Sequence, residues 1–96
     1  MNFVNCVSIR VKPGCNEALE LAFAELTVLT RLETGCITYQ LHRSTKDPAQ
    51  YFLYERYLDE PALQFHRATD YFTRIVVGVI PPLVEERVIS QFLPVD

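Results

Sequence analysis

Positive charge is scarce in this chain, with nine Lys and Arg against twelve Asp and Glu, a net charge of −3 and a pI near 5.3. No basic stripe is available to neutralise phosphates, which excludes nucleic acid as a natural partner and argues against docking on an anionic membrane surface. Cysteine is limited to Cys6, Cys15 and Cys36. The count is odd and no pair has CxxC spacing, so neither a disulfide framework nor a structural zinc site is expected. Three reduced thiols in a cytoplasmic protein are expected instead. Glycine occurs only three times, and no Gly-rich phosphate loop, Ser–His–Asp order or metal-ligand spacing is present. No metal, flavin or nicotinamide cofactor is therefore expected. The longest apolar stretch, Ile75 to Val84, is interrupted by Gly78, Pro81 and Pro82. It falls far short of the roughly 20 residues that span a bilayer, so no membrane partner is expected. The first residues read as strand rather than as a basic segment before an apolar one, and no signal peptide is expected.

What the chain does contain is an ordinary globular balance, 49% hydrophobic and 22% charged, which argues against disorder. Its 96 residues suit one domain, residues 1–96, whose core must be thin. Phe3, Asn5, Val7, Ile9 and Val11 alternate with Val4, Cys6, Ser8 and Arg10, the period of a strand. Lys12-Pro13-Gly14 breaks it. Leu19, Ala22, Phe23, Leu26, Leu29 and Leu32 recur at steps of three and four, predicting a helix over residues 16–33 with Asn16 as N-cap. Gly35 suits a left-handed C-terminal position. Strands are predicted over residues 36–43 and 51–58, joined through the Asp47-Pro48 turn. Asp59 then caps a second helix with Pro61 in its first turn and Ala62, Phe65, His66 and Thr69 on one face. A looser helical pattern follows through Val77, and a last strand runs to about Leu93. The order βαββαβ predicts an α+β ferredoxin-like fold, an antiparallel four-stranded sheet with both helices on one face. The other face would carry bulky Val4, Tyr39, Phe52 and Tyr54, which predicts a homodimer with sheets stacked face to face.

Alternation places Tyr51, Leu53, Glu55 and Tyr57 on one face of the third strand. Glu55 is a carboxylate among apolar neighbours, and His66 lies on the apolar stripe of the next helix. Both are polar where the period calls for apolar residues. A carboxylate beside an imidazole orients the ring and raises its basicity, so Glu55 and His66 are the candidate acid–base pair. A buried Glu–His hydrogen bond that only ties helix to sheet would fit equally well. Tyr51, Tyr57, Tyr71 and Phe72 are candidates to line a pocket for a flat aromatic or carbonyl substrate, or simply to pack.

These segments also resemble the antibiotic-biosynthesis monooxygenase family over about residues 3–93. The resemblance is carried by Val11-Lys12-Pro13-Gly14, by Glu33-Thr34-Gly35-Cys36-Ile37-Thr38-Tyr39 and by Asp47-Pro48. It continues through the run Tyr51 to Glu60 and through Ala62-Leu63-Gln64-Phe65-His66 with Thr69. It implies a dimeric α+β barrel with a pocket between sheet and helices, and oxidation of a quinol, phenol or related carbonyl compound by dioxygen without metal or flavin. Haem-degrading relatives carry tryptophan where Tyr57 stands, so haem cleavage is not implied. The run Tyr54-Glu55 to Thr69 is also similar to an isomerase of a phosphorylated hydroxydiketone, the autoinducer-2 type. The match departs at Asp70-Tyr71-Phe72, where Tyr71 stands in place of a second histidine. A dimeric binding module without catalysis is the remaining alternative.

Overall fold

The computed structural model describes residues 1–96. Strands β1 (Phe3–Val11), β2 (Cys36–Arg43), β3 (Gln50–Tyr57) and β4 (Val84–Phe92) form one sheet in the order β2-β3-β1-β4, antiparallel throughout. Helices α1 (Asn16–Thr30) and α2 (Glu60–Arg67) lie between β1 and β2 and between β3 and β4 in the chain. A π-helical segment, Phe72–Val77, and a 3-10 turn, Pro81–Leu83, complete the connection into β4. This is the predicted ferredoxin-like architecture. No helix is long and apolar enough to cross a membrane.

Register decides which side chains meet. Asn5 of β1 pairs with Glu55 of β3, and Glu55 pairs with Tyr39 of β2. Directly paired residues project to the same face, so Tyr39, Glu55 and Asn5 form one row beneath the helices. Tyr39 is accordingly buried, which corrects its expected place on the outer face. Val7, Ile9, Val11, Tyr51 and Leu53 extend the same face and pack on Leu19, Phe23 and Leu26 of α1. Each such side chain, fully buried, stabilises the fold by roughly 1.5–3 kcal/mol. The helices leave β4 uncovered, and nearly all of its residues are exposed. On the opposite face Phe52, Val88 and Phe92 are 44%, 50% and 54% exposed.

Three local details differ from expectation. Helix α1 starts after Cys15, and the Asn16 side chain donates to the Pro48 carbonyl and to the Tyr51 hydroxyl instead of capping the helix. The helix also ends at Thr30, with a turn over Arg31, Leu32 and Glu33 held by bonds to the carbonyls of Thr27, Leu29 and Thr30. Leu32 consequently points to solvent, while Glu33 is buried. The buried positions Leu19, Phe23, Leu26, Thr30 and Glu33 advance by four and three, so Glu33 falls on the inward stripe. In α2, Asp59 accepts from the Ala62 amide at 3.0 Å as expected, and Leu63 and His66 face inward. Phe65 is exposed rather than inward.

Gly14 alone adopts positive φ, at 80°. Gly35 does not need it; its requirement is space, because a Cβ there would lie 2.5 Å from the Ala62 Cβ. Its carbonyl meanwhile accepts from the Leu58 amide at 2.9 Å. Gly35 thus lets α2 approach the start of β2. Gly35→Ala is expected to destabilise the fold by about 1–3 kcal/mol through overpacking. In a domain of this size that lowers the melting midpoint by roughly 4–8 °C per kcal/mol, which thermal denaturation followed by circular dichroism measures directly.

Candidate active site

His66 is 1% exposed and Glu55 4%. Strand β3 delivers Glu55 and the inward stripe of α2 delivers His66. The two approach, but the His66 Nε2 to Glu55 Oε1 distance is 4.0 Å, too long for a direct hydrogen bond. The partner of the imidazole is Glu33, whose Oε2 lies 2.9 Å from Nδ1. A carboxylate accepts, so the Nδ1–H tautomer of the imidazole donates to Glu33 and carries its lone pair on Nε2. Tyr71 donates its hydroxyl to the same Glu33 oxygen. Glu33 Oε1 has no protein partner. The rings of Tyr39, Tyr57 and Phe72 surround the imidazole at centroid distances of 5.6, 5.7 and 5.1 Å, Phe72 edge-on.

Glu55 has its own donors. The Tyr57 hydroxyl lies 2.6 Å from Oε1 and the Asn5 amide nitrogen 2.8 Å from Oε2. Burial pushes the Glu55 carboxyl above its ordinary value, and the bonds from Tyr57 and Asn5 and the nearby His66 and Arg67 only partly offset it. Burial and the Glu55 carboxylate likewise push the Tyr57 phenol up, so it stays protonated and donates. The Tyr71 phenol is pushed up to about 12, by burial first and then by its bond to Glu33. Cys36 is pushed up to about 11, chiefly by burial, so it is a thiol rather than a nucleophile at neutral pH.

A cavity of about 400 Å³ opens beside this network, within the range of small-molecule sites. Asn5, Glu55 and His66 form its polar wall, and most of the remaining wall is apolar, from Val7 and Ile9 to Phe72, Val76 and Ile80. Of the residues expected to line a pocket, Phe72 does. Tyr57 and Tyr71 stand behind the wall and hold Glu55 and Glu33. Tyr51 is not brought to the site. It lies four residues, or about 13 Å of strand, from Glu55, and its hydroxyl donates to Glu20 at 2.5 Å. Glu33 and Asn5 are the members that residue-by-residue reading passed over, and Tyr39 was expected on the outer face. The signal for Glu33 was available as a carboxylate on the four-three inward stripe of α1, the same anomaly that marked His66.

A sequence profile of the antibiotic biosynthesis monooxygenase family matches residues 2–77. A protein of Mycobacterium tuberculosis, Rv0793, which carries the provisional name of a monooxygenase, is 28% identical over 88% of this chain and 83% of its own length. The crystal structure of SO0527 from Shewanella oneidensis superposes with a TM-score of 0.89 at 34% identity, covering 95% of this chain and 88% of that one. That of PA3566 from Pseudomonas aeruginosa gives 0.90 at 29% identity, covering 99% and 95%.

The raised Glu55 carboxyl has a consequence for stability. The folded chain keeps this proton to higher pH than the unfolded chain, whose group titrates near the ordinary value of 4.5. Unfolding therefore releases a proton in the interval above 4.5, and stability falls as pH rises through the folded value. Glu55→Gln is expected to flatten that decline. Melting midpoints of both proteins from pH 4 to pH 8 check it, and parallel curves would contradict the assignment to Glu55.

Proposed function

This chain belongs to the antibiotic biosynthesis monooxygenase family, and on that premise we propose that it is a cofactor-independent monooxygenase of a phenol or quinol. The observation that carries the reading is His66, held at Nδ1 by Glu33, with Glu55 near its Nε2 and both residues on the wall of an apolar cavity. A base fixed on one nitrogen and open on the other is the arrangement that general-base catalysis needs. Glu33 and Tyr71 are positioning residues, since they act through the imidazole.

The chemistry balances without a further reductant. His66 Nε2 takes the phenolic proton, and the substrate anion supplies electrons to dioxygen. One oxygen atom bonds to a ring carbon that bears hydrogen, forming a hydroperoxide. The C–H proton leaves as the O–O bond breaks, giving a C=O group and one water. Phenol plus O₂ thus becomes quinone plus H₂O, four electrons leaving the substrate and four entering oxygen. The apolar wall favours the reading, because it lowers the dielectric around the developing charge. Glu55, with its raised carboxyl, is suited to return a proton to the departing oxygen.

Oxygen uptake and product formation across a panel of naphthols, quinols and anthrones test the activity. His66→Ala is expected to lower turnover by about 10²-fold or more, the usual range for a lost general base. Glu33→Gln should lower kcat while leaving KM nearly unchanged. Activity in a folded His66→Ala protein equal to the parent's would remove the residue from the mechanism. Consumption of hydroxyketones without oxygen uptake would favour proton-transfer isomerisation by the same base.

The exposed outer face supports a homodimer. Phe52 on β3 and Val88 and Phe92 on β4 flank β1 on this face, forming an apolar surface that a second copy can cover. Light scattering at micromolar concentration should return about twice the 11.1 kDa chain mass. Phe52→Asp should shift the population towards monomer, because a charge in an apolar contact lacks a partner. An 11.1 kDa species for the parent excludes the dimer.

A further inference from the structure

Five arginines have side-chain partners. Arg10 bonds Asp47, Arg43 bonds Glu20 and Arg74 bonds Glu25, while Arg31 donates to the Tyr39 carbonyl and Arg56 to the Asn2 side chain. Arg67 and Arg87 make no ion pair or side-chain hydrogen bond within the chain, and both line the cavity that holds His66 and Glu55. They reach it from different elements. Arg67 follows His66 on α2 and is half-buried; Arg87 stands on β4 opposite Ile9 and is exposed. Arg67 is near enough to Glu55 to favour the ionised carboxylate, though less than Tyr57, Asn5 and His66 do. Neither guanidinium lies within ion-pair distance of a carboxylate.

The cavity thus offers the Nε2 side of His66, an apolar wall and two free guanidinium groups.

We propose that the substrate is a hydroxyarene bearing an anionic substituent, its hydroxyl directed to His66 and its anion held by the guanidinium groups that line the cavity, Arg67 and Arg87. The proposal rests on the reading of this cavity as the substrate site. Guanidinium groups bind carboxylate and phosphate alike, as planar forks with charge-assisted hydrogen bonds. An anion so held also fixes the orientation of a flat ring that the apolar walls alone would leave free to turn over.

Binding measured by calorimetry separates the anion subsite from turnover. The probes are naphthol and the hydroxynaphthoate whose hydroxyl and carboxylate lie at opposite ends of the ring pair. The hydroxynaphthoate is expected to bind at least about tenfold tighter at low salt, the range of one charge-assisted hydrogen bond, and the difference should shrink as salt screens the exposed Arg87. The double variant Arg67→Gln, Arg87→Gln should erase the difference while leaving naphthol affinity unchanged. Neither side chain has a partner to lose, so the fold should be unaffected. Arg74→Gln, on an exposed pair away from the cavity, should keep the difference. Naphthyl phosphate binding more tightly than the hydroxynaphthoate, with inorganic phosphate competing, would identify the anion as phosphate within the same subsite. Equal affinity for naphthol and hydroxynaphthoate overturns the anion subsite and leaves the cavity reading standing. If neither aromatic binds, both fall.

Discussion

The hydrogen bond from His66 Nδ1 to Glu33 Oε2 joins the end of α1 to α2 across the floor of the helix layer. Two buried carboxylates and a buried imidazole would each be costly alone. Here they are tolerable because each has donors or acceptors brought from a different element. Glu33 receives Nδ1 from α2 and a hydroxyl from Tyr71; Glu55 receives a hydroxyl from Tyr57 and an amide from Asn5. Breaking one member leaves another uncompensated, so the network constrains where α1 ends, how α2 sits and which rows of β1, β2 and β3 align. The early end of α1 at Thr30 and the close packing of Gly35 on Ala62 are both consistent with this constraint.

The cavity follows from incomplete cover. Two helices cannot shield four twisted strands in so small a chain, and the uncovered strand is β4, the one farthest from β2. The π-helical segment and the 3-10 turn contribute Phe72, Val76, Val77, Ile80 and Pro81 to the cavity wall without closing the space. π-helical turns recur at functional sites because the extra residue per turn redirects side chains. Here the redirected Phe72 ring meets the imidazole edge-on. The same incomplete cover leaves Arg87 exposed at the cavity, and a free cation there is what a binding site can use and a packed core cannot.

Much of this was legible in the residues. Period-two alternation in β1, β2 and β3 identified the strands and the inward position of Glu55, since the pleat leaves only two faces. Asp59 and Pro61 located the start of α2, because their effect is local and needs no tertiary partner. His66 stood out as a polar group on an apolar stripe, and it proved buried. The resemblance to the monooxygenase family, carried by short motifs spread along the chain, agreed with the profile match over residues 2–77. Less legible were the contacts made between elements. Leu29 and Leu32 continued an apparent stripe, yet the helix stopped and the inward line ran through Thr30 to Glu33. A broad apolar face admits two stripes one position apart, and only packing against the sheet selects one.

Sequence alone therefore determined the element order, the sheet-and-two-helix architecture and the candidate status of Glu55 and His66, because each rests on periodicity or on interactions within a few residues. Tertiary structure decided the rest. It paired His66 with Glu33 across 33 positions of chain and Asn5 with Glu55 across 50. It also turned Tyr39 inward through strand register, carried Tyr51 away to Glu20, and left Arg67 and Arg87 without partners beside one cavity. Hydrogen bonds and charges act over a few ångströms of space, and the distance along the chain between two residues says nothing about that separation until the fold has closed.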